Sequence, residues 1–196
     1  MKNFSKIGFG AFIFMVLVGN IVLFDPPKEE ETIHSYTESA VERPAPVPTT
    51  KYISYDIPDG NTSFKSYMDY RSITNTESKQ YRLQQDAYTN DYGLRMYDDM
   101  YMVAMGSYYV TEIGDIYRIT LSNGTEFIAV AGDLKADRDT DINNQYHPME
   151  NDMKNVVEFI VDTHELNSKV RQSGTVGTYN EFSGDIVKIE RIERYE

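Results

Sequence analysis

The pattern of apolar and polar positions divides the chain into three parts, of which the first is an 18-residue run without a charge, residues 7–24. As a helix this run is about 27 Å long, close to the thickness of a bilayer core. Lys2 and Lys6 precede it, and the first acid is Asp25. The positive-inside rule then places the amino terminus in the cytoplasm. We predict a transmembrane signal anchor over residues 1–24, with a cleaved signal peptide, cut near Asn20, as the alternative.

The second part, residues 25–50, is rich in proline and acid and holds five of the seven prolines. Such a composition cannot bury a core. We predict a disordered Pro/Glu-rich tether that separates a folded extracytoplasmic domain, residues 51–196, from the membrane. The predicted localisation is the cell membrane, with a single pass.

In the third part, short runs of β-branched and aromatic residues are separated by Gly, Asn and Asp, which is typical of strands. Ser122, Asn123 and Gly124 lie between two of these runs and predict a hairpin turn, because Asn and Gly tolerate positive φ. The predicted strands are Ser63–Ile73, Lys79–Gln84, Gly93–Tyr97, Tyr101–Gly106, Ile116–Leu121, Thr125–Ala131, Val156–Val161 and Ile186–Ile192.

Helical periodicity occurs at one place after Val161. Asp162 is a candidate cap, Leu166 and Val170 share the face expected to meet the core, and Gly174 is a candidate end. Eight short strands and one short helix predict a mainly β domain, a small β-barrel.

One sequence pattern occurs twice, with Gly-Asp-Ile-x-basic-Ile at Gly114–Ile119 and again at Gly184–Ile189. Glycine permits a tight turn, the Asp carboxylate can accept from nearby backbone N–H groups, and the Ile side chains can enter a core. The pattern resembles the Gly-Asp box of double-psi barrels, in which each half carries one such turn. The resemblance implies a double-psi-like β-barrel.

Composition excludes several kinds of partner and site. The net charge is −12, and residues 51–196 alone carry −10 because they hold 15 of the 19 basic and 25 of the 31 acidic side chains. A domain so acidic has no means of neutralising rows of phosphates, so no nucleic acid partner is predicted. With no cysteine, thiolate metal sites, iron–sulfur clusters and disulfides are excluded. We predict no metal and no cofactor.

The most polar part of the domain is the segment from Gly132 to Asp152, which follows an apolar strand; long charged segments of this kind are often functional. Directly after it, Glu158 lies within the apolar run Val156–Val161. A carboxyl in such a strand either faces a cleft, where it can serve as a general acid, or is paired with another group. The alternative is that it lies on the solvent face of an edge strand.

Three interpretations of these carboxylates stay open. The first is glycan cleavage, in which a protonated carboxyl gives its proton to the glycosidic oxygen. The second is calcium binding, because the spacing of four residues matches positions 1, 3, 5 and 7 of an EF-hand loop: Asp137, Asp139, Asp141 and Asn143. The match is partial, since Ile142 and Pro148 stand where the loop glycine and the closing glutamate belong. The third is a solvated acidic loop without chemistry.

The domain is also rich in tyrosine, and three of these residues, Tyr101, Tyr108 and Tyr109, are candidates to bind substrate by stacking on sugar rings. Tyrosines of this kind also serve as barrel-wall residues with a hydrated hydroxyl group. The sequence leaves both interpretations open.

Several short motifs together resemble the three-aspartate double-psi barrel, a domain of bacterial cell-wall proteins related to membrane-bound lytic transglycosylase A and the stationary-phase survival proteins. The motifs are Tyr101–Ser107, Gly114-Asp115, Asn123-Gly124, Phe127–Asp133 and Val157–Phe159. The resemblance implies cleavage of peptidoglycan without water. One carboxyl protonates the leaving oxygen and then helps the sugar's own 6-hydroxyl to close an anhydro ring.

Carried over by motif, the family's first aspartate is Asp133, its later catalytic aspartate is Glu158, and Asp141 is the candidate third acid. The chain departs from the family pattern in having Glu at 158 and Leu134-Lys135-Ala136 in place of Thr-Gly-Gly. The intervening segment is also about twice as long as the family pattern.

Two functions follow from these observations. The first is a membrane-anchored lytic transglycosylase-like enzyme acting on peptidoglycan or another wall glycan. The second is a non-catalytic binding or structural module of the cell envelope or of a mobile element. If Asp133 and Glu158 serve one glycosidic bond, they should converge within about 10 Å in one groove.

Overall fold

The structure is a computed structural model that describes residues 50–194, with the backbone alone for Arg194. The predicted anchor, residues 7–24, and all of the predicted tether except Thr50 lie outside this range. Within it, no helix is long and apolar enough to cross a membrane.

Eleven strands and two short α-helices make up the described part of the chain, with short 3-10 turns between them. The strands are β1 Thr50–Tyr55, β2 Tyr67–Asp69, β3 Tyr88–Thr89, β4 Arg95–Tyr97, β5 Met100–Met105, β6 Ile116–Leu121, β7 Glu126–Leu134, β8 His147–Pro148, β9 Lys154–Asn155, β10 Glu158–Val161 and β11 Ile186–Arg194. The helices are α1 Lys79–Gln85 and α2 Ser168–Ser173.

Nine of the strands form one mixed sheet in the order β1-β11-β6-β7-β5-β10-β2, with β4 added to β5 and β3 added to β4. Two neighbouring pairs, β5 with β7 and β10 with β2, are parallel, and the other pairs are antiparallel. The strands β8 and β9 form a separate ribbon. The mainly β class is therefore confirmed, and within residues 50–194 the sheet does not close into a barrel.

The predicted hairpin is confirmed, because β6 and β7 pair antiparallel on either side of Ser122-Asn123-Gly124. Gly124 has φ +88°, in the left-handed region that glycine tolerates best. The Asn123 side chain accepts from Thr125 N at 2.9 Å, which closes a local Asx turn. The turn therefore depends on residues that are adjacent in sequence.

Some element predictions are wrong in ways that have physical causes. Lys79–Gln84, predicted as a strand, lies in α1, which Ser78 caps by accepting from Tyr81 N. The segment Thr50–Tyr55, at the predicted end of the tether, forms β1 along β11. The helix predicted after Val161 begins later, with Asn167 as its cap, and ends as predicted at Gly174, whose φ is +71°.

The sheet buries apolar side chains on both faces. Alternation along β5 sends Val103 into the larger core cluster and Met102 to the opposite face, where it meets Val130 and Ile160. Helix α1 covers this second face, to which it contributes Leu83. We call this the α1 face.

The repeated Gly-Asp-Ile pattern marks two equivalent turns. Gly114 and Gly184 both have positive φ, +99° and +93°. The strands that follow them, β6 and β11, lie side by side and antiparallel, with Ile119 opposite Ile189. Both carboxylates accept from backbone N–H groups, Asp115 from Thr111 and Glu112 and Asp185 from Thr62. The two copies are therefore related by an approximate local two-fold axis.

Lys65 is fully buried next to the second of these turns. Its ammonium group donates to the carbonyls of Ser63, at 3.0 Å, and Gly184, at 2.7 Å. Burial lowers the pKa of Lys65 to about 8, against the opposing effect of Asp185.

This buried lysine predicts a pH-dependent stability. The unfolded chain holds the lysine proton up to about pH 10.5 and the folded chain loses it near pH 8, so the unfolded state binds more protons in between. We expect the Lys65 contribution to the free energy of unfolding to rise by about 2 kcal/mol from pH 8 to pH 10. Urea unfolding of the wild type and Lys65→Met across this range isolates the contribution as the difference between the two curves. Parallel curves would contradict the prediction.

Candidate functional site

A pocket of about 430 Å³ opens where β7 ends, β10 begins and the long charged segment returns to the sheet. Its volume lies within the range of small-ligand sites. Its walls mix carboxylates, a buried amine, an imidazole and apolar side chains. The lining residues are Ser66, Leu134, Lys135, Ala136, Asp139, His147, Met149, Asn155 and Glu158.

Strand register brings Asp133 and Glu158 to one face of the sheet. Ala104 on β5 is the Cα partner of Glu158 on one side and of Asp133 on the other. Partners directly across a sheet point to the same face, and strands lie about 4.8 Å apart, so the two acids stand about 10 Å apart at Cα, with one small side chain between them. This is the α1 face, and Glu158 contributes to a rise in the pKa of Asp133.

A bulge in β7 produces this alignment. The register with β5 shifts between Val103 and Ala104, which leaves Gly132 as the extra residue. A Cβ at Gly132 would lie 2.7 Å from Ile160 Cδ1, inside van der Waals contact. Gly132-Asp133 is therefore a tightly packed bulge that directs the carboxylate, and not a turn.

Glu158 is ion-paired and hydrogen-bonded. Lys135 Nζ lies 3.3 Å from Oε2, and Ser66 Oγ donates to Oε1 at 3.0 Å. The Lys135 side chain is 5% exposed and that of Glu158 is 24% exposed, so the carboxylate faces the pocket and the amine lies behind it. The lone carboxyl expected from the sequence thus has a cationic partner.

Asp133 lies beside the pocket wall without lining it. Its Oδ1 is 3.4 Å from Gln80 Nε2 on α1, a long hydrogen bond. Burial raises the pKa of Asp133, and the hydrogen bonds from Leu134 N and Gln80 oppose the rise. The direction of this shift is the one that a general acid requires.

The third candidate acid, Asp141, organises the charged segment instead of reaching the pocket. Its carboxylate accepts from three backbone N–H groups, those of Asn143, Gln145 and Tyr146. The structure places Asp141 in a loop turn, outside the residues that line the pocket.

The calcium interpretation is not supported by the geometry. Asp137 accepts from Ser107 Oγ at 2.7 Å, and Asp139 lies in the same 3-10 turn, 3.7 Å from Arg138. Asp141 is committed to the turn that follows. Across the described residues, no group of three or more acids or histidines is arranged to hold a metal ion.

The three candidate tyrosines lie away from the pocket. Tyr109 is fully buried and donates to Asp56 O, so it offers no ring surface to a ligand. Tyr101 packs edge-on against Phe127 and Phe182. Tyr108, 37% exposed, packs edge-on against Tyr109. These contacts fit the alternative interpretation, that tyrosines serve as wall residues.

Sequence reasoning missed most of the pocket. Ser66 and Asn155 come from opposite parts of the chain, 89 residues apart, and Lys135 appeared only as a departure from a family motif. One signal was available, because Lys135 and Glu158 each carry charge inside apolar surroundings, and buried charges are normally paired. His147 also lines the pocket, although no His-based site was predicted.

Comparison with known proteins adds no relative. No family model, curated protein or solved structure matches this chain.

Proposed function

We propose that the pocket cleaves a peptidoglycan strand, or another wall glycan, by acid–base catalysis with two carboxylates. The observation that carries the proposal is the shared pairing of Asp133 and Glu158 with Ala104, which puts both acids on one face beside a pocket of ligand size. Their environments differ, because burial favours the protonated form of Asp133 whereas Glu158 has a cationic partner. A pair of acids held in different environments is the arrangement that acid–base chemistry needs.

The chemistry follows from these environments. Asp133 gives its proton to the glycosidic oxygen as the bond from C1 to that oxygen breaks, and Glu158 accepts the proton of the sugar's 6-hydroxyl as its oxygen bonds to C1. The products are a free hydroxyl on one fragment and a 1,6-anhydro ring on the other, and no water is consumed. Proton exchange with solvent then returns both carboxyls to their starting states.

As part of the same proposal, the folded part of the chain is a three-aspartate, double-psi-like domain. Residues 7–24 hold it on the outer side of the cell membrane. The paired Gly-Asp-Ile turns of β6 and β11 support two related halves. The two parallel pairs within an otherwise antiparallel sheet support crossing connections of the kind such barrels contain.

A non-catalytic wall-binding module is the second candidate. One observation favours it: the Lys135–Glu158 pair satisfies both charges within the protein. Buried ion pairs of this kind also occur where they only fix a conformation.

Digestion of purified peptidoglycan tests the proposal. We expect the full 196-residue chain in detergent to release 1,6-anhydro muropeptides, detected by mass spectrometry, and Glu158→Gln to lower their release about 100-fold. The matched control is Glu165→Gln, which removes an exposed carboxylate. If the chain sediments with peptidoglycan but releases no anhydro products, the binding module is favoured. If the chain shows no binding and no product, both candidate functions are wrong.

A further inference from the structure

The wall of the pocket contains a chain of hydrogen bonds whose direction can be read. Ser66 N donates to Asn155 Oδ1 at 3.1 Å, which orients the Asn155 amide, because a backbone N–H can only donate. Asn155 Nδ2 must then donate to Ser66 Oγ, at 2.6 Å. With its oxygen occupied in this way, the Ser66 hydroxyl is left to donate to Glu158 Oε1, at 3.0 Å.

The other carboxylate oxygen also receives a donor. Lys135 Nζ lies 3.3 Å from Glu158 Oε2, and the Lys135 backbone is itself held, by a hydrogen bond from its N–H to Met105 O at 3.0 Å. Both oxygens of Glu158 therefore act as acceptors. Each oxygen keeps a second lone pair, which can accept from a ligand in the pocket.

We infer that Lys135, with Ser66, is a positioning residue that holds Glu158 as the base of the pocket and leaves the proton-donor role to Asp133. This inference rests on the proposed function. Lys135 does not touch the reacting atoms, because its side chain is 5% exposed and lies behind the carboxylate. Its effect is to fix one carboxylate about 10 Å at Cα from Asp133, whose pKa is raised by burial.

The other titratable groups near Glu158 do not provide the positive charge of a second amine. Asp133 approaches it across Ala104, and Asp139 and His147 line the same pocket. Two of these three groups are acids, which cannot form an ion pair with the Glu158 carboxylate. Among the described residues that line the pocket, Lys135 is the one amine.

Substitution of Lys135 tests this role through the shape of the pH profile. We expect Lys135→Met to lower kcat for anhydro-product release at least tenfold with KM changed less than twofold. We also expect the acidic limb of the rate profile to move to higher pH, because Glu158 loses its cationic partner. Lys169→Met, which removes an exposed amine on α2, should behave as wild type. A uniform loss of rate at every pH would overturn the inference, because a merely structural role predicts that result.

A second measurement does not depend on turnover or on the folding of a lysine variant. In Glu158→Gln, Lys135 stays buried without its carboxylate, so its pKa should fall below the already lowered wild-type value. Amine-reactive labelling at a series of pH values, read by peptide mass spectrometry, should show Lys135 reacting at lower pH in the variant. Identical labelling of Lys135 in the two proteins would contradict the proposed interaction between Lys135 and Glu158. If wild type makes no anhydro product but labelling shifts, the proposed function fails and the pairing stands.

Discussion

Asp133→Asn should lower the rate of anhydro-product release about 1,000-fold, because the amide keeps the shape of the side chain but has no acidic proton to give. The asparagine Oδ1 can still accept from Gln80 and from Leu134 N, so the local hydrogen bonds are retained. The measurement is product release at saturating peptidoglycan. The control is Asp91→Asn, because Asp91 is exposed, lies between β3 and β4, and does not line the pocket. Activity within threefold of wild type would exclude Asp133 as the proton donor.

The same variant separates catalysis from stability. Burial raises the pKa of Asp133, so the folded state binds its proton more tightly than the unfolded state does. Its contribution to stability is therefore lost as pH rises through the interval between its ordinary and its raised pKa. An ionised Asp133 carboxylate at pH 7 lowers the free energy of unfolding because it is partly buried, and asparagine carries no such charge. Asp133→Asn should consequently show an equal or higher melting temperature at pH 7 together with its loss of activity, whereas a purely structural aspartate would lose stability.

Gly106→Ala should lower the free energy of unfolding by about 3 kcal/mol, since a side chain there would overlap a backbone carbonyl. Gly106 follows β5, and a Cβ at this position would lie inside van der Waals contact with Asn144 O. That carbonyl accepts from Tyr108 N, which ties the charged segment to the end of β5. Urea unfolding at pH 7 measures the change.

Gly124→Ala is the matched control for this steric effect. Gly124 has φ +88°, but no atom lies within 4 Å of a Cβ built there, so the substitution adds backbone strain without a clash. We expect it to cost about 1 kcal/mol. Equal losses in the two variants would mean that contact with Asn144 is not what requires glycine at 106. Gly106→Ala should also weaken peptidoglycan binding, because the segment it displaces carries Asp139 and His147 into the pocket.

Local sequence was enough to predict the features that a few neighbouring residues determine. The turn at Ser122–Gly124, the Gly174 helix end and the turn at Gly114-Asp115 each depend on one left-handed glycine and on groups within a few positions. Runs of apolar and strand-forming residues were likewise enough for β5, β6, β7 and β10, which supply much of the buried core.

Elements that depend on distant partners were predicted less well. The segment at Lys79–Gln85 alternates enough to suggest a strand, yet the Ser78 cap and the packing of Leu83 on the α1 face select a helix. Strand β1 contains Tyr52, Ile53 and Tyr55, which favour strands, but its partner β11 lies more than 130 residues away. Tertiary pairing overrides weak local preference in such segments.

For the site, the sequence by itself pointed to Asp133 and Glu158 as candidate catalytic acids, because both lie next to or within apolar strands. Only the tertiary structure showed which groups surround each of them. Ser66 and Lys135 reach Glu158 from 92 and 23 residues away, and Asp141 is committed to its own loop. The physical reason is that a carboxyl's protonation depends on burial and on charges within a few ångströms, and the fold alone brings those groups together.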